Sequence, residues 1–82
     1  MNVEVRLYGA LRRYRPPEAA ASFPQPFTVV LPAGATVDSL SLRLGIPDGV
    51  VSAAAVNNEA VESETVLQDG DRVSLFPPSA GG

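Results

Sequence analysis

The chain has 82 residues, a formal net charge of −3 and 45% apolar residues, which suffices for one small hydrophobic core. It contains no Cys, His, Lys or Trp, which excludes disulfides, zinc–thiolate sites, Schiff-base chemistry and a Ser-His-Asp hydrolase triad. Eight of its nine carboxylates lie beyond residue 15, so a nucleic-acid partner is not expected.

The N-terminal segment alternates apolar and polar residues. This pattern predicts a half-buried strand, with Val3, Val5 and Leu7 facing inward and Tyr8 outward. It does not have the form of a signal peptide, and no later apolar run is long enough to span a membrane. We therefore expect a cytoplasmic protein without a membrane partner.

Residues 9–26 contain four prolines and the basic run Arg12-Arg13-Tyr14-Arg15. A structureless stretch of this length is unusual in a compact domain, so we expect a turn of helix or a broad lobe here. The basic run could contact phosphate, but a solvated loop or an electrostatic contact with a partner is favoured.

A second strand is predicted over residues 27–31, followed by one short amphipathic helix. Thr36 is a favourable N-cap for that helix, and Gly45 is its C-terminal stop. The apolar face of the helix consists of Val37, Leu40 and Leu44.

The second half of the chain predicts three further strands. Residues 50–56 form the first, and Asn57-Asn58 is a hairpin turn into a short strand around Ala60-Val61. Val66 and Leu67 are expected to be buried, and the last strand covers Arg72 to Phe76 after a turn at Asp69-Gly70. This order favours an α+β fold with the helix on one face of one sheet.

The last strand also predicts an aromatic surface. Val73 and Leu75 face one side of the sheet and Phe76 faces the other, because side chains alternate along a strand. If the first and last strands are neighbours, Tyr8 and Phe76 form a patch on the helix-free face. Exposed aromatic patches mark partner surfaces, although the long loop could instead half-bury one or both rings.

Five carboxylates follow the third strand and could suggest a calcium site: Glu59, Glu62, Glu64, Asp69 and Asp71. Their spacing lacks the EF-hand pattern, so a solvated acidic face that steers a basic partner is favoured. We expect neither a bound metal nor a bound cofactor.

The chain ends Pro77-Pro78-Ser79-Ala80-Gly81-Gly82. The terminal glycines carry no side chain, so they can present a carboxylate on a thin stem to a partner's active site. At pH 7 such a carboxylate is an unreactive anion, and the chain has no P-loop, so a partner must activate it. A fragment boundary is the alternative explanation of this end.

The last third of the chain resembles a known family. Gly70-Asp71-Arg72-Val73-Ser74-Leu75-Phe76-Pro77-Pro78-Ser79-Ala80-Gly81-Gly82, preceded by Val56-Asn57-Asn58-Glu59, is similar to the small subunit of molybdopterin synthase. That subunit belongs to the MoaD/ThiS group of ubiquitin-like sulfur carriers. The resemblance implies a β-grasp fold over residues 1–76, with a mixed sheet of four or five strands and one short helix on one face. It also implies a flexible tail over residues 77–82.

The resemblance further implies a mechanism. A ubiquitin-activating-type adenylyltransferase (MoeB/ThiF-like) would adenylate the Gly82 carboxylate with ATP. A sulfurtransferase would supply sulfur, and the large subunit of molybdopterin synthase (MoaE-like) would use the resulting thiocarboxylate to make the molybdenum or tungsten cofactor. The chain would donate sulfur without being catalytic alone. Its reactive residue would be Gly82, with Gly81, Ala80 and Ser79 in the tail and Phe76, Pro77, Pro78 and Tyr8 in the partner interface.

The downstream use stays open at this point. The Phe76-Pro77-Pro78 end favours pterin cofactor synthesis over thiamine synthesis, while related carriers also serve tRNA thiolation, cysteine synthesis and protein conjugation. A protein modifier joined through Gly82 by an isopeptide bond and a passive adaptor are the remaining alternatives. Residues 12–26 have no counterpart in the family pattern.

Overall fold

The computed structural model describes residues 1–16, 26–47 and 49–78. Within these residues, five strands, one 3-10 helix and one α-helix are formed. In chain order they are β1 (Asn2–Leu7), the 3-10 helix (Gly9–Tyr14), β2 (Phe27–Val30), α1 (Val37–Arg43), β3 (Ala53–Val56), β4 (Glu59–Val61) and β5 (Arg72–Phe76).

The five strands form one mixed sheet in the order β2-β1-β5-β3-β4. β1 is antiparallel to β2 and parallel to β5, with Leu7 opposite Leu75. β5 is antiparallel to β3, and β3 continues into β4 through a hairpin. The first and last strands are therefore neighbours that end at the same edge of the sheet.

One face of this sheet and one face of α1 share the hydrophobic core. Val5 and Leu75 are fully buried on the sheet, and Leu40 is fully buried on the helix. The period-two burial of β1 follows its alternation of apolar and polar residues. The predicted α+β arrangement, with the helix on one face, is confirmed.

The helix begins where the sequence predicts. The Thr36 hydroxyl accepts a hydrogen bond from the Ser39 N–H at 3.1 Å, and the Ser39 hydroxyl accepts one from the Thr36 N–H at 3.1 Å. Gly45 follows the helix with a φ of +77°, which suits its predicted role as a stop. Seven residues are too few for a stable isolated helix, so packing on the sheet must stabilise it.

The turn between β3 and β4 is the predicted Asn-Asn hairpin. Asn57 and Asn58 have φ angles of 52° and 72°, as a type I′ turn requires. The Asn57 side chain also reaches β5, where its Oδ1 accepts from the Arg72 N–H and its Nδ2 donates to Asp71 Oδ1, both at 3.0 Å. These bonds attach the hairpin to the start of β5.

Two predictions in this half of the chain are wrong. The third strand begins at Ala53 and not at residue 50, because Gly49, with a φ of +84°, turns the chain just before. Val66 is 56% exposed, whereas Leu67 is 2% exposed. The backbone is extended there and the Leu67 N–H donates to the Ala35 carbonyl, so the two neighbouring side chains point in opposite directions.

The segment after β1 contains the expected turn of helix. The 3-10 helix runs from Gly9 to Tyr14 and buries Leu11 completely against the core. The remaining part of this segment, residues 17–25, lies outside the described residues, as do Ser79 to Gly82.

Candidate functional site

An aromatic pair marks the edge at which the C-terminal segment leaves the sheet. The rings of Tyr8 and Phe76 stack with centroids 4.7 Å apart and an interplanar angle of 14°. The register explains this contact, because Leu7 lies opposite Leu75 in parallel strands and the next residue on each strand faces away from the core. Tyr8 is 38% exposed and Phe76 is half-buried, which confirms the predicted aromatic patch.

The backbone at Phe76 is held from both sides. The Tyr8 N–H donates to the Leu75 carbonyl at 3.2 Å, and the Ser52 N–H donates to the Phe76 carbonyl at 2.8 Å. Pro77 follows and has no N–H with which to extend the ladder, so β5 ends there. The point at which the chain leaves the sheet is therefore fixed by β1 and by the segment before β3.

Gly9 contributes a further contact at this edge. Its φ is +55°, and a Cβ placed on it would lie 2.9 Å from Pro77 Cγ and 3.6 Å from Pro77 Cδ. Sequence reasoning missed Gly9. The signal was a glycine two residues after the end of one strand and a proline directly after another. The two can be connected only when the strands are known to be parallel neighbours.

A polar depression adjoins the aromatic pair on the helix-free face. It measures about 210 Å³, and its charged lining residues are Glu4, Arg6 and Arg72. Glu4 lies opposite Arg72 in the β1–β5 register, so opposite charges occupy neighbouring strands. An aromatic centre beside polar, exposed side chains has the composition of a protein–protein interface.

Two of the five carboxylates of the proposed acidic face accept hydrogen bonds from the backbone, one from the start of β1 and one within a turn. Asp69 Oδ1 accepts from the Asn2 N–H at 2.7 Å, and Asp71 Oδ2 accepts from the Gln68 N–H at 2.8 Å. Within the described ranges, no three His, Cys, Asp or Glu residues come together as a metal site. Glu59, Glu62, Glu64 and Asp69 are exposed and Asp71 is half-buried, so these carboxylates lie at the surface, and their steering of a basic partner stays a prediction.

The basic run lies on and just after the 3-10 helix. Arg12 and Arg13 are exposed. The Arg13 guanidinium lies 5.9 Å from the Tyr14 ring centroid, and that of Arg15 lies 5.9 Å from the Phe27 ring centroid. An electrostatic contact of Arg12 and Arg13 with a partner stays a prediction.

The predicted site residues divide into two groups. Tyr8, Phe76 and Pro77 meet at one edge of the sheet, and Pro78 follows them exposed. Ser79, Ala80, Gly81 and Gly82 lie outside the described residues, so the role of the terminal carboxylate stays a prediction. In the part of the chain that the structure describes, no helix has the length and apolarity needed to cross a membrane.

The sequence model of the ThiS family matches residues 5–82 of the chain. Comparison with curated proteins gives no match.

Several solved structures share the fold. The putative molybdopterin converting factor subunit 1 from Pyrococcus furiosus is 25% identical with a TM-score of 0.65, covering 95% of this chain and 98% of that chain. A chain in the complex of subunits 1 and 2 of the molybdopterin-converting factor from Helicobacter pylori is 28% identical with a TM-score of 0.58, covering 100% of both chains. SAMP1 from Haloferax volcanii has a TM-score of 0.65 and 100% coverage of both chains, but at 22% identity it supports the fold alone. The β-grasp, ubiquitin-like fold is thereby confirmed.

Proposed function

The chain belongs to the ThiS family, and on that premise we propose that it is a sulfur carrier acting through the α-carboxylate of Gly82. In the first step, a carboxylate oxygen attacks the α-phosphorus of ATP, and pyrophosphate leaves. Sulfide then displaces AMP from the acyl adenylate. If the donor is a sulfurtransferase persulfide, its outer sulfur displaces AMP to give an acyl disulfide, and a thiol reductant then cleaves the S–S bond to release the thiocarboxylate. The net change on the chain is one carboxylate oxygen replaced by sulfur, which gives a thiocarboxylate.

The observation that carries the proposal is the extent of the family match, which runs through residue 82 and so includes the Gly81-Gly82 end. The side-chain inventory supports it. Without Cys, His or Lys, the chain lacks the side chains that usually form covalent intermediates or activate nucleophiles. The terminal carboxylate is then the group best suited to carry sulfur.

The geometry of the sheet edge supports the same role. Pro77 to Gly82 can reach at most about 20 Å, enough to enter a buried site on a partner. The stacked Tyr8 and Phe76 rings lie at the root of this segment and form the centre of the proposed docking surface. Most of the binding energy would come from the folded body, while the tail delivers the reactive group.

We assign the sulfur to molybdopterin synthesis. The two solved structures at 25% and 28% identity are named as molybdopterin-converting factor proteins, and one of them is a complex of subunits 1 and 2. By analogy, this chain would pair with a large synthase subunit that consumes the thiocarboxylate. An adenylyltransferase of the ubiquitin-activating type would bind the ATP, and a sulfurtransferase would supply the sulfur, so this chain needs no cofactor of its own.

The proposal is tested by mass spectrometry after incubation with ATP, such an adenylyltransferase and a sulfur source. The mass of the wild-type chain should increase by the difference between a sulfur atom and an oxygen atom. Deletion of Gly82 should abolish the product without altering the circular dichroism spectrum. Ala80→Gly, which keeps the length of the tail, is the matched control and should still be loaded. A wild-type chain that stays unmodified while a known carrier is loaded in parallel would contradict sulfur carriage.

The same material distinguishes the alternatives. Mixing the thiocarboxylated chain with the large synthase subunit and the pterin precursor should yield molybdopterin. Failure of this step with successful loading would assign the sulfur to another pathway. Recovery of Gly82 joined to a Lys of cellular proteins would favour a protein modifier. An intact mass showing that the native chain continues past Gly82 would contradict both roles.

A further inference from the structure

We infer that Gly9 is a positioning residue for the reactive C-terminus, because it provides the surface against which Pro77 leaves the sheet. This inference rests on the proposed function and adds a determinant that lies outside the tail itself. Its basis is the close approach of Gly9 and Pro77, where a Cβ on residue 9 would lie 2.9 Å from Pro77 Cγ.

Three consecutive contacts join the two chain segments at this edge. The Tyr8 N–H donates to the Leu75 carbonyl, the Tyr8 ring stacks on Phe76, and Gly9 lies against Pro77. The first two contacts fix the position of β5. The third acts on the first residue beyond β5, so it determines the direction in which the tail begins.

Proline makes this contact mechanically effective. The ring of Pro77 is bonded to its own backbone nitrogen, so a displacement of Cγ beyond what a change of ring pucker absorbs moves the backbone as well. Pro78 restricts the next φ angle as well, and the change of direction therefore continues along the stem. A side chain on residue 9 would turn the stem away from the direction that the folded body sets.

The contact distinguishes Gly9 from the other glycines of the described residues. Gly34, Gly45, Gly49 and Gly70 also have positive φ angles, but an added Cβ at each would meet nothing within 4 Å. All five of these glycines therefore share a positive φ angle, but among them only Gly9 lies so close to the first residue of the tail. Gly34 is the best control because it follows β2, which is antiparallel to β1, and so lies at the opposite edge of the sheet.

The test compares Gly9→Asn with Gly34→Asn. Asn is chosen because this chain already places Asn57 and Asn58 at φ angles of 52° and 72°, a range that includes the 55° of Gly9. Gly34, at 87°, lies farther from this range, so Gly34→Asn is a stringent control for backbone strain alone. Each variant is incubated with ATP and the adenylyltransferase that loads the wild-type chain. Docking is measured by calorimetry, and adenylate formation by ATP–pyrophosphate exchange.

Gly9→Asn should bind the adenylyltransferase with a Kd within twofold of wild type. It should form the adenylate about tenfold more slowly, because a redirected tail places the Gly82 carboxylate out of line with the ATP. Gly34→Asn should match wild type in both measurements. Removing the Pro77 ring should abolish the effect, so Gly9→Asn combined with Pro77→Ala should react as fast as Pro77→Ala alone. A purely structural role of Gly9 would lower folding stability without this rescue.

A Gly9→Asn chain that docks and reacts like wild type would overturn the inference, as would a double variant slower than Pro77→Ala by the same tenfold factor. If Gly9→Asn fails to fold, NMR of the wild-type chain tests the contact between Gly9 and Pro77 directly. A nuclear Overhauser effect between the Gly9 α-protons and the Pro77 γ-protons supports the contact, and its absence refutes it. Failure of the proposed function looks different, because the wild-type chain itself would not be adenylated.

Discussion

The stacked pair of Tyr8 and Phe76 allows a quantitative prediction. Phe76→Ala removes a half-buried ring, whose apolar contribution is about 1 kcal/mol when half of a fully buried Phe is counted. The stacking at 4.7 Å adds about 1 kcal/mol. We therefore expect a loss of about 2 kcal/mol in the free energy of unfolding. Tyr8→Ala loses the same stacking and the burial of a ring that is 38% exposed, so its expected loss is about 1.5–2 kcal/mol.

A double-mutant cycle measured by urea denaturation checks this reasoning. Once one ring is absent the other has nothing to stack on, so the double variant should be more stable than the sum of the single losses by about 0.5–1.5 kcal/mol. Tyr8→Phe keeps a ring in place and is the matched control, with most of the stacking retained. Losses that add to within about 0.3 kcal/mol would show that the rings do not interact in solution.

Phe76→Ala also distinguishes binding of the partner from positioning of the C-terminal tail. If the pair is the centre of the partner surface, Phe76→Ala should weaken binding of the adenylyltransferase by about 2 kcal/mol, a factor of roughly 30. This is the opposite pattern to Gly9→Asn, which should leave the Kd nearly unchanged. Unaltered binding by Phe76→Ala in calorimetry would place the partner surface elsewhere.

Three further predictions concern stability and are checked by urea denaturation followed by circular dichroism. Asn57→Ala should cost about 2–3 kcal/mol, because both side-chain hydrogen bonds are lost and Ala disfavours positive φ, whereas Asn57→Gly should cost about 1 kcal/mol less. Equal losses would refute the backbone argument. Thr36→Ala should cost about 1 kcal/mol through loss of the helix cap, and Thr36→Ser should cost less; no difference between them would refute the capping role. Leu75→Ala should cost about 2–5 kcal/mol because Leu75 is fully buried, and a loss below about 1 kcal/mol would contradict its place in the core. Leu42→Ala, at a residue 65% exposed, is its control and should change stability by less than about 0.5 kcal/mol.

Local signals explain which elements could be predicted. Thr36 and Gly45 delimit the helix because capping and positive φ depend on residue type and immediate neighbours. Asn57 and Asn58 form the hairpin turn for the same reason. Val66 was mispredicted because its exposure depends on which of two adjacent apolar residues turns towards the core, and that is decided by the pairing of the Leu67 N–H with Ala35.

The candidate site required information from more distant parts of the chain. The alternation of side chains along each strand placed Tyr8 and Phe76 on the outer face of the sheet. That the two rings form one patch followed only on the condition that the first and last strands are neighbours. The structure satisfies that condition by pairing β1 with β5 in parallel. Gly9 could not be found without that pairing, since its meaning arises from a proline 68 positions later in the chain.

The sequence by itself determined the Gly81-Gly82 end, the lack of Cys, His and Lys, the helix and its cap, and the outward direction of both aromatic residues. Each of these follows from residue chemistry or from periodicity over a few neighbours. Only the tertiary structure decided that Leu7 lies beside Leu75, that the two rings stack, and that Gly9 lies against Pro77. The reason is physical. Strand order and register are settled by the shared burial of all five strands and the helix, which no single segment encodes.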